Sequence, residues 1–318
     1  GSVLVWIPRY AYKIAYFNSE DDKQEYISNR EDKSKVVGYS DSRGIVDLDG
    51  KTPESIEQIT AISVNKNEKD KYYRVHPTFE GDVDLGGWTH NLSGIWVGKF
   101  EITDKKSEDD NFMTIPSQYS KKNIKISEMN EEVHKLDTEK IDSHIVKNME
   151  WGAIAYLSES QCGRNGQEIS ISQASKTGQG GILTSSTGNI YGIYDLAGSY
   201  SEFVMGVYKD YLSTESDAFF KGLDKKYYNI YNSEINSNNI GDALYETQSW
   251  NLDSYKGVDD NYPILIRGGS RDTPININGG TTWWPDEEDM GIFSVYHSKD
   301  YQGRGAPWST FRICMCSK

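Results

Sequence analysis

The side chains able to do covalent or metal chemistry are few and scattered along this sequence. Three cysteines, Cys162, Cys314 and Cys316, could supply a thiolate nucleophile, and five histidines could act as bases or metal ligands. The histidines are His76, His90, His134, His144 and His297. Because they show no close ligand spacing along the chain, a metal-dependent oxidase is disfavoured, and we predict surface or packing roles for them.

Two hydrolytic arrangements are also disfavoured. The sequence contains no Gly-x-Ser-x-Gly motif, the strained strand-to-helix turn that exposes a nucleophilic serine. The neighbouring carboxylates of Glu287-Glu288-Asp289 could in principle serve glycoside hydrolysis. Runs of adjacent acidic residues are usually a solvated face, however, so we do not assign them a catalytic role.

The composition is typical of an aromatic-rich, loop-rich domain. Only 36% of the 318 residues are hydrophobic, yet the chain has 22 Tyr, 9 Phe and 8 Trp, together with 29 Gly. Tyr and Trp beyond the needs of a core suit a binding face, because they give a large contact area at low entropic cost. No break in charge or composition divides the chain, which predicts a single elaborated domain over residues 1–318.

The formal net charge of −14, from 48 acidic and 34 basic residues, disfavours nucleic acid as a partner. Such a field repels a polyphosphate backbone, and no basic stripe offsets it. No apolar run approaches the roughly 18 residues that a membrane-spanning helix needs, so we predict no membrane span in this sequence.

Three segments carry clear secondary-structure patterns. Residues 3–17 alternate and are rich in β-branched and aromatic types, which predicts a strand pair or one long strand. Residues 94–103 predict a buried strand, because an Ile-Trp-Val core is flanked by glycine. Residues 148–160 give the strongest helix pattern, with Trp151, Ile154, Ala155 and Leu157 on one face.

Three polar stretches, at about 18–72, 104–147 and 209–262, read as insertions into this framework. For the first we predict hairpins and a short helix over 53–62, because Thr52 suits the cap and Pro53 the first turn. For the second we predict loops and a helix over 126–136.

Short blocks spread over nearly the whole chain resemble the formylglycine-generating-enzyme (sulfatase-modifying factor) branch of the C-type lectin fold. In chain order they are Val5-Trp6-Ile7-Pro8, Trp96-Val97-Gly98-Lys99-Phe100-Glu101, Asn148-Met149-Glu150-Trp151, Tyr191-Gly192-Ile193-Tyr194-Asp195-Leu196-Ala197-Gly198, Ile266-Arg267-Gly268-Gly269-Ser270 and Ser309-Thr310-Phe311-Arg312. The resemblance implies an irregular α+β domain with small antiparallel sheets. It also implies that the two terminal strands lie side by side, with the Glu150-Trp151 helix packed on them.

The same resemblance bears on catalysis. Oxidase members of that branch use a reactive cysteine pair soon after the Gly-Gly-Ser block, whereas residues 271–276 of this chain contain no cysteine. The resemblance therefore implies a non-catalytic member that binds a ligand. An enzyme of the same branch with a relocated or metal-based oxidative site is the alternative.

Cysteine pairing stays open. The resemblance implies a disulfide between Cys162 and either Cys314 or Cys316, and strand alternation puts the latter two on one face. Three free thiols are the other possibility, since an odd number of cysteines leaves at least one unpaired in a monomer.

A structural calcium ion is the one cofactor that the resemblance implies. Carried over residue by residue, Asp195 and Glu202 would supply carboxylates, and Gly198 and Tyr200 would supply backbone carbonyls. Such a set of hard oxygen ligands suits calcium. The alternative is that Asp195 and Glu202 only cap a turn.

A ligand-binding face is predicted between Arg267 and Phe311. Its candidate residues are Asn276, Asn278, Trp283, Trp284, Tyr296, Tyr301 and Trp308. Interspersed glycines and weak hydrophobic periodicity suit exposed recognition loops. In C-type-lectin-fold proteins diversified by retroelements, the corresponding stretch is the variable ligand face. The alternative is that Trp283 and Trp284 cover a loop core.

The resemblance extends to surface proteins of Gram-positive bacteria that carry a type IV prepilin-like N-terminus. Gly1-Ser2 is typical of a cloning remnant, so we expect natural sequence upstream of Val3. By this resemblance we expect an extracellular, cell-surface protein, such as the exposed head of a minor pilin or adhesin. Its expected partners are a host glycan or protein, and a pilus or surface assembly joined through the upstream segment.

Overall fold

The structure is a computed structural model. It describes residues 1–17, 19–29, 32, 34, 38–41, 44–47, 55–61, 74–104, 111–213, 218–232, 240–247, 253, 255, 257–270, 275–277, 280–282, 290–298 and 309–318. Within these ranges the chain forms four α-helices and sixteen mostly short strands, arranged in small and largely antiparallel sheets. The fold class is therefore α+β, as the sequence predicts. Among the described helices, none is both long and apolar enough to cross a membrane.

The helices and strands have the following bounds. The helices are α1 (Glu20–Ser28), α2 (Ile126–His134), α3 (Asn148–Glu159) and α4 (Ala218–Gly222). The strands are β1 (Leu4–Pro8), β2 (Ala11–Phe17), β3 (Gly38–Asp41), β4 (Gly44–Asp47), β5 (Ser55–Ala61), β6 (Arg74–Val75), β7 (Gly94–Gly98), β8 (Ile141–Ile145), β9 (Ser201–Tyr208), β10 (Asn229–Tyr231), β11 (Ile264–Arg267), β12 (Ile275–Ile277), β13 (Gly280–Thr282), β14 (Val295–Ser298), β15 (Ser309–Phe311) and β16 (Ile313–Ser317).

The two ends of the chain meet in one antiparallel sheet of order β1-β7-β16-β8, which we call the terminal sheet. The terminal strands share this sheet as predicted, although β7 lies between them. The register aligns Trp6 with Trp96, Trp96 with Met315, and Met315 with Ser143. Since aligned residues point to the same side, these four form one row across the outer face.

The inner face of the terminal sheet packs into the core. Ile7, Ile95, Val97 and Cys314 are buried there, in a hydrophobic cluster whose members come from both ends and the middle of the chain. A second sheet, of order β10-β9-β11-β14 with β15 parallel to β9, surrounds the fully buried strand β9. A third sheet has the order β4-β3-β2-β5, with β6 also pairing to β2, and β12 and β13 form a separate hairpin.

Helix α3 begins and ends close to where the sequence places it, and nearly all of its residues are buried. Its first turn is closed by Glu150, whose carboxylate accepts the backbone N–H of Lys147 at 2.9 Å. Trp151 donates its indole N–H to the carbonyl of Ile292 at 2.9 Å. Because α3 is buried on every side, it also packs against the backbone of neighbouring segments. The closest approach is at Gly152, where an added Cβ would lie 2.0 Å from the carbonyl oxygen of Gly241.

Three sequence predictions need correction. The helix predicted over 53–62 is wrong, because Ser55–Ala61 is a strand with seven register pairs to β2. Its β-branched residues fit a pleated ladder, and that pairing overrides the capping signal of Thr52 and Pro53. The helix of this insertion is α1 instead, capped by the hydroxyl of Ser19.

The second correction concerns the insertion at 104–147, which also contributes strand β8 to the terminal sheet.

The third correction concerns Trp96. Strand β7 forms as predicted, but its central tryptophan is 42% exposed, while Ile95 and Val97 are buried. The period-2 alternation of a strand with one face in the core explains this arrangement.

We expect Gly152→Ala to lower the free energy of unfolding by about 1–3 kcal/mol, because the added methyl group overlaps the backbone at Gly241. Gly222→Ala is the matched control, since Gly222 ends α4 and a Cβ there meets nothing within 4 Å. The control should leave stability unchanged or raise it by up to about 1 kcal/mol. Urea unfolding midpoints measure both effects, and equal midpoints would contradict the packing of α3 described above.

Candidate functional site

A pair of partly exposed tryptophans lies on the outer face of the terminal sheet. Trp6 and Trp96 lie directly opposite each other, with ring centroids 4.9 Å apart, and are 39% and 42% exposed. Such cross-strand aromatic pairs stabilise a sheet modestly. Two large rings left half in water also offer an apolar contact surface.

A pocket of about 240 Å³ opens beside Trp6. Its apolar wall comes from β1 and α3, including Ile7, Ile154 and Leu157, and its other wall is the 186–193 loop. Tyr191 stands on that loop and is 75% exposed. We call Trp6, Trp96, Tyr191 and this pocket the aromatic cleft. An apolar concavity with a few hydroxyl groups at its rim is typical of small-molecule and glycan sites.

Close backbone contacts hold the aromatic cleft in shape. Gly94 lies under the ring of Trp6, and a Cβ at that position would come within 2.4 Å of the ring. The ammonium of Lys99 donates to the carbonyl of Ile190, which ties the loop to the end of β7. The hydroxyl of Ser186 accepts the backbone N–H of Ile193 at 2.9 Å. A site fixed in this way needs little ordering when it binds a ligand.

The predicted ligand face lies largely outside the described residues. Five of its members, Asn278, Trp283, Trp284, Tyr301 and Trp308, fall there entirely. Asn276 lies in β12 and Tyr296 in β14, and only their backbones are described. This face therefore stays a prediction. The aromatic cleft is a separate site, which the sequence analysis missed because it assigned Trp96 to the core.

The block predicted to bind calcium forms a buried cluster of carboxylates. Asp195 has a left-handed backbone, with φ of 63°, and its Oδ2 accepts the backbone N–H of Gly178 at 2.6 Å. Glu202 lies in β9, so the alternative that it caps a turn is wrong. Both oxygens of Glu202 accept from Arg312, at 3.0 Å from Nε and 2.5 Å from Nη2. A third buried carboxylate, Glu101, accepts from the hydroxyl of Ser120 and the N–H of Tyr200.

Burial dominates the electrostatics of this cluster. It raises the pKa of Glu101 well above its ordinary value, and the nearby charges of Asp195 and Glu202 raise it further. Burial likewise raises the pKa of Asp195 and, against the attraction of Arg312, the pKa of Glu202. Three carboxylates thus face one guanidinium, and the cluster favours uptake of a proton or a cation.

The fit of this cluster to calcium differs between the two predicted carboxylates. Oδ1 of Asp195 has no hydrogen bond of good geometry among the described residues and is available to a metal, whereas Glu202 would have to share its oxygens with Arg312. With Gly198 and Tyr200 as carbonyl ligands, calcium would supply the missing positive charge. Calcium therefore stays a prediction, with Asp195 as its most available ligand.

A second buried cluster, on the inner face of the terminal sheet, was not predicted. The register places Cys314 opposite His144 and Cys316 opposite Asp142, and Glu150 approaches from α3. Sequence spacing could not reveal this cluster, because β8 and β16 are about 170 residues apart in the chain. The one sequence signal was that Asp142 and His144, and likewise Cys314 and Cys316, are two residues apart and so share a face of their strand. All three cysteines are free thiols, which settles the open question of pairing.

Comparisons with known proteins add little to this picture. No protein-family model matches the chain, and no curated protein matches it. A structural search finds similarity to Treponema denticola variable protein 1, with 11% identity, a TM-score of 0.35, and coverage of 84% of this chain and 98% of that one. This similarity is too weak to establish a shared fold.

We expect chelation with EGTA to lower the melting temperature of calcium-loaded protein, and Asp195→Ala to abolish that response because it removes the side-chain oxygen ligand. A ligand that binds only the folded state stabilises it by about 2.7 kcal/mol at a hundredfold excess over its Kd. Asp104→Asn, at an exposed carboxylate on the surface, is the control and should respond as the wild type does. Identical melting curves of the wild type with calcium and with EGTA would contradict the calcium site.

Proposed function

We propose that this chain is a non-catalytic ligand-binding module of the C-type lectin fold, in the formylglycine-generating-enzyme branch. In this proposal it acts outside the cell, as the exposed head of a pilin-like or surface adhesin protein. The observation that carries the binding role is the aromatic cleft, in which the half-exposed Trp6, paired with the half-exposed Trp96, and the exposed Tyr191 line a pocket beside the terminal sheet.

The chemistry of the aromatic cleft indicates what it would bind. The described residues that line the pocket include no charged side chain, although the whole chain carries a net charge of −14. Its polar groups are hydroxyls and backbone amides, among them Ser158, Ser186 and Thr187. Flat rings with hydroxyl neighbours suit the apolar faces of neutral sugars or the apolar side chains of a protein. A host glycan or protein is therefore the proposed partner.

The predicted face with Trp283 and Trp284 is the proposed second contact region, and the calcium ion is proposed as a structural ligand. Both proposals rest on the resemblance to the family. The same resemblance supports assembly into a pilus or cell surface through a segment upstream of Val3.

The alternative function is an enzyme of the same branch with a relocated, metal-based oxidative site. The observation that favours it is the inner-face cluster, in which His144 forms one possible metal-binding group with Asp142 and Cys316 and another with Glu150 and Cys314. Burial argues against it, because both cysteines are at most 1% exposed and no substrate reaches them. Burial also raises the pKa of both thiols, so they stay protonated and are poor nucleophiles.

We expect Trp6→Ala and Trp96→Ala each to weaken binding about thirtyfold, which corresponds to about 2 kcal/mol for an aromatic anchor at the centre of a binding face. The measurement is binding of the purified protein to arrays of neutral glycans and to immobilised host matrix proteins. Tyr119→Ala is the control, since Tyr119 is 63% exposed and does not line the cleft.

The outcomes separate the candidate faces. If Trp283→Ala and Trp284→Ala abolish binding while Trp6→Ala and Trp96→Ala do not, the ligand binds the predicted face rather than the cleft. If the wild type binds nothing but converts a sulfatase-type cysteine peptide to formylglycine, detected by mass spectrometry, the alternative function holds and the proposal is wrong.

A further inference from the structure

The inner face of the terminal sheet brings oxygen, nitrogen and sulfur donors to one point. Asp142 and His144 alternate on β8, and Cys316 lies directly opposite Asp142 on β16. One donor atom from each of these three residues lies within 4.8 Å of the others, and all three side chains are buried. A mixed set of carboxylate, imidazole and thiol at this spacing is typical of a transition-metal site.

His144 and Asp142, the two side chains from β8, each have one polar atom in a hydrogen bond to another residue. The second polar atom of each side chain lies at the point where the three donors meet. His144 directs Nε2 at the carboxylate of Glu150, at 3.0 and 3.1 Å from its two oxygens. Asp142 accepts at Oδ2 from the ammonium of Lys226 and the hydroxyl of Tyr227, both at 2.8 Å.

The remaining atoms, Nδ1 of His144 and Oδ1 of Asp142, face each other at 3.4 Å. Neither has a hydrogen bond of good geometry to any part of the chain that the structure describes. Buried polar atoms are rarely left in this state, so a bound species between them is a natural explanation.

We propose that this point is a zinc site, with Nδ1 of His144, Oδ1 of Asp142 and Sγ of Cys316 as ligands. The contact from His144 to Glu150 then has the form in which a zinc-binding imidazole donates its other N–H to a carboxylate, which fixes the ring and its tautomer. Lys226 and Tyr227 fix the second ligand, Asp142, in the same way. The three donors leave the fourth tetrahedral position to a water molecule.

Zinc fits this donor set better than the hard cations do. Calcium and magnesium prefer all-oxygen coordination, whereas zinc takes thiolate, imidazole and carboxylate together. On binding, the thiol of Cys316 releases its proton to solvent and His144 coordinates as the neutral imidazole, so zinc uptake releases protons. The charges of Asp142 and the thiolate then neutralise the two charges of the ion.

The neighbouring cysteine, Cys314, belongs to a second group with His144 and Glu150, whose ligand atoms also lie within 4.8 Å of one another. In that group the contact between Nε2 of His144 and the carboxylate of Glu150 is already made, so we assign Cys314 no role as a zinc ligand. Cys314 lies opposite His144 rather than Asp142, and its thiol contacts the carboxylate of Glu150. It shares the strand, the face and the burial of Cys316. Cys314 is therefore a matched control for Cys316.

A proton is the competitor for this site. Although burial lowers the pKa of His144, the charges of Glu150 and Asp142 and the hydrogen bond to Glu150 raise it above its ordinary value overall. Without metal, an imidazolium between two carboxylates is the alternative occupant. Two ammonium groups are also close to this cluster: that of Lys226 donates to Asp142, and that of Lys147 is held by the carbonyls of Gly86 and Gly87 and by the ring of Trp88.

Cobalt(II) titration of the reduced full chain tests the proposal. We expect one equivalent of cobalt to give the near-ultraviolet absorption of a cobalt–thiolate bond and the visible bands of tetrahedral cobalt, both removed by zinc. Cys316→Ser should lose the thiolate absorption, while Cys314→Ser and Cys162→Ser should keep it. Absence of the absorption in the wild type, or its full retention in Cys316→Ser, would overturn the site.

A second measurement covers the case in which Cys316→Ser does not fold. Wild-type protein in mild denaturant is alkylated with and without zinc, and the labelled cysteines are mapped by mass spectrometry. We expect zinc to slow labelling of Cys316 at least tenfold relative to Cys162, which is half-buried and remote from the site. Equal labelling rates of Cys316 with and without zinc would overturn the proposal.

Discussion

The antiparallel register of β16 between β7 and β8 is the constraint on which the rest of this structure depends. It joins the end of the chain to strands from its beginning and middle, and it decides which residues face outward. In this register the outer row carries Trp6, Trp96 and Met315, and the inner face carries Asp142, His144, Cys314 and Cys316. A shift of one residue would exchange the faces, because side chains alternate with period two.

Arg312 stabilises this register through hydrogen bonds to the neighbouring strands and loop. It follows β15 directly and precedes β16, and its guanidinium is fully buried. It donates to Glu202 on β9 and to the carbonyls of Gly98 on β7 and Tyr194. One side chain thus joins the terminal sheet, the second sheet and the loop behind the cleft. Removal of either partner of a buried ion pair leaves an uncompensated charge, which is strongly destabilising.

The sequence predicted the α+β class, helices α2 and α3 and the shared sheet of the chain ends, because these follow from local periodicity and from family blocks. It placed a helix where β5 forms, since the partner strand β2 decides that segment and capping residues do not. It missed β8, whose Asp142, Ser143 and His144 look polar but are buried by pairing with β16. The inner-face cluster was invisible for the same reason: its members are neighbours only across strands. Trp96 was misassigned because hydrophobicity was weighed without the alternation of its strand.

Cross-strand nuclear Overhauser effects over the terminal sheet test the central claim, the register, most directly. Backbone contacts between Trp6 and Trp96, between Trp96 and Met315, and between Met315 and Ser143 are the predicted result. Contacts displaced by one residue, such as Trp96 with Cys314 or Cys316, would contradict it. They would put Trp96 on the same face of the sheet as the cysteines, so the aromatic cleft and the buried zinc site could not both exist.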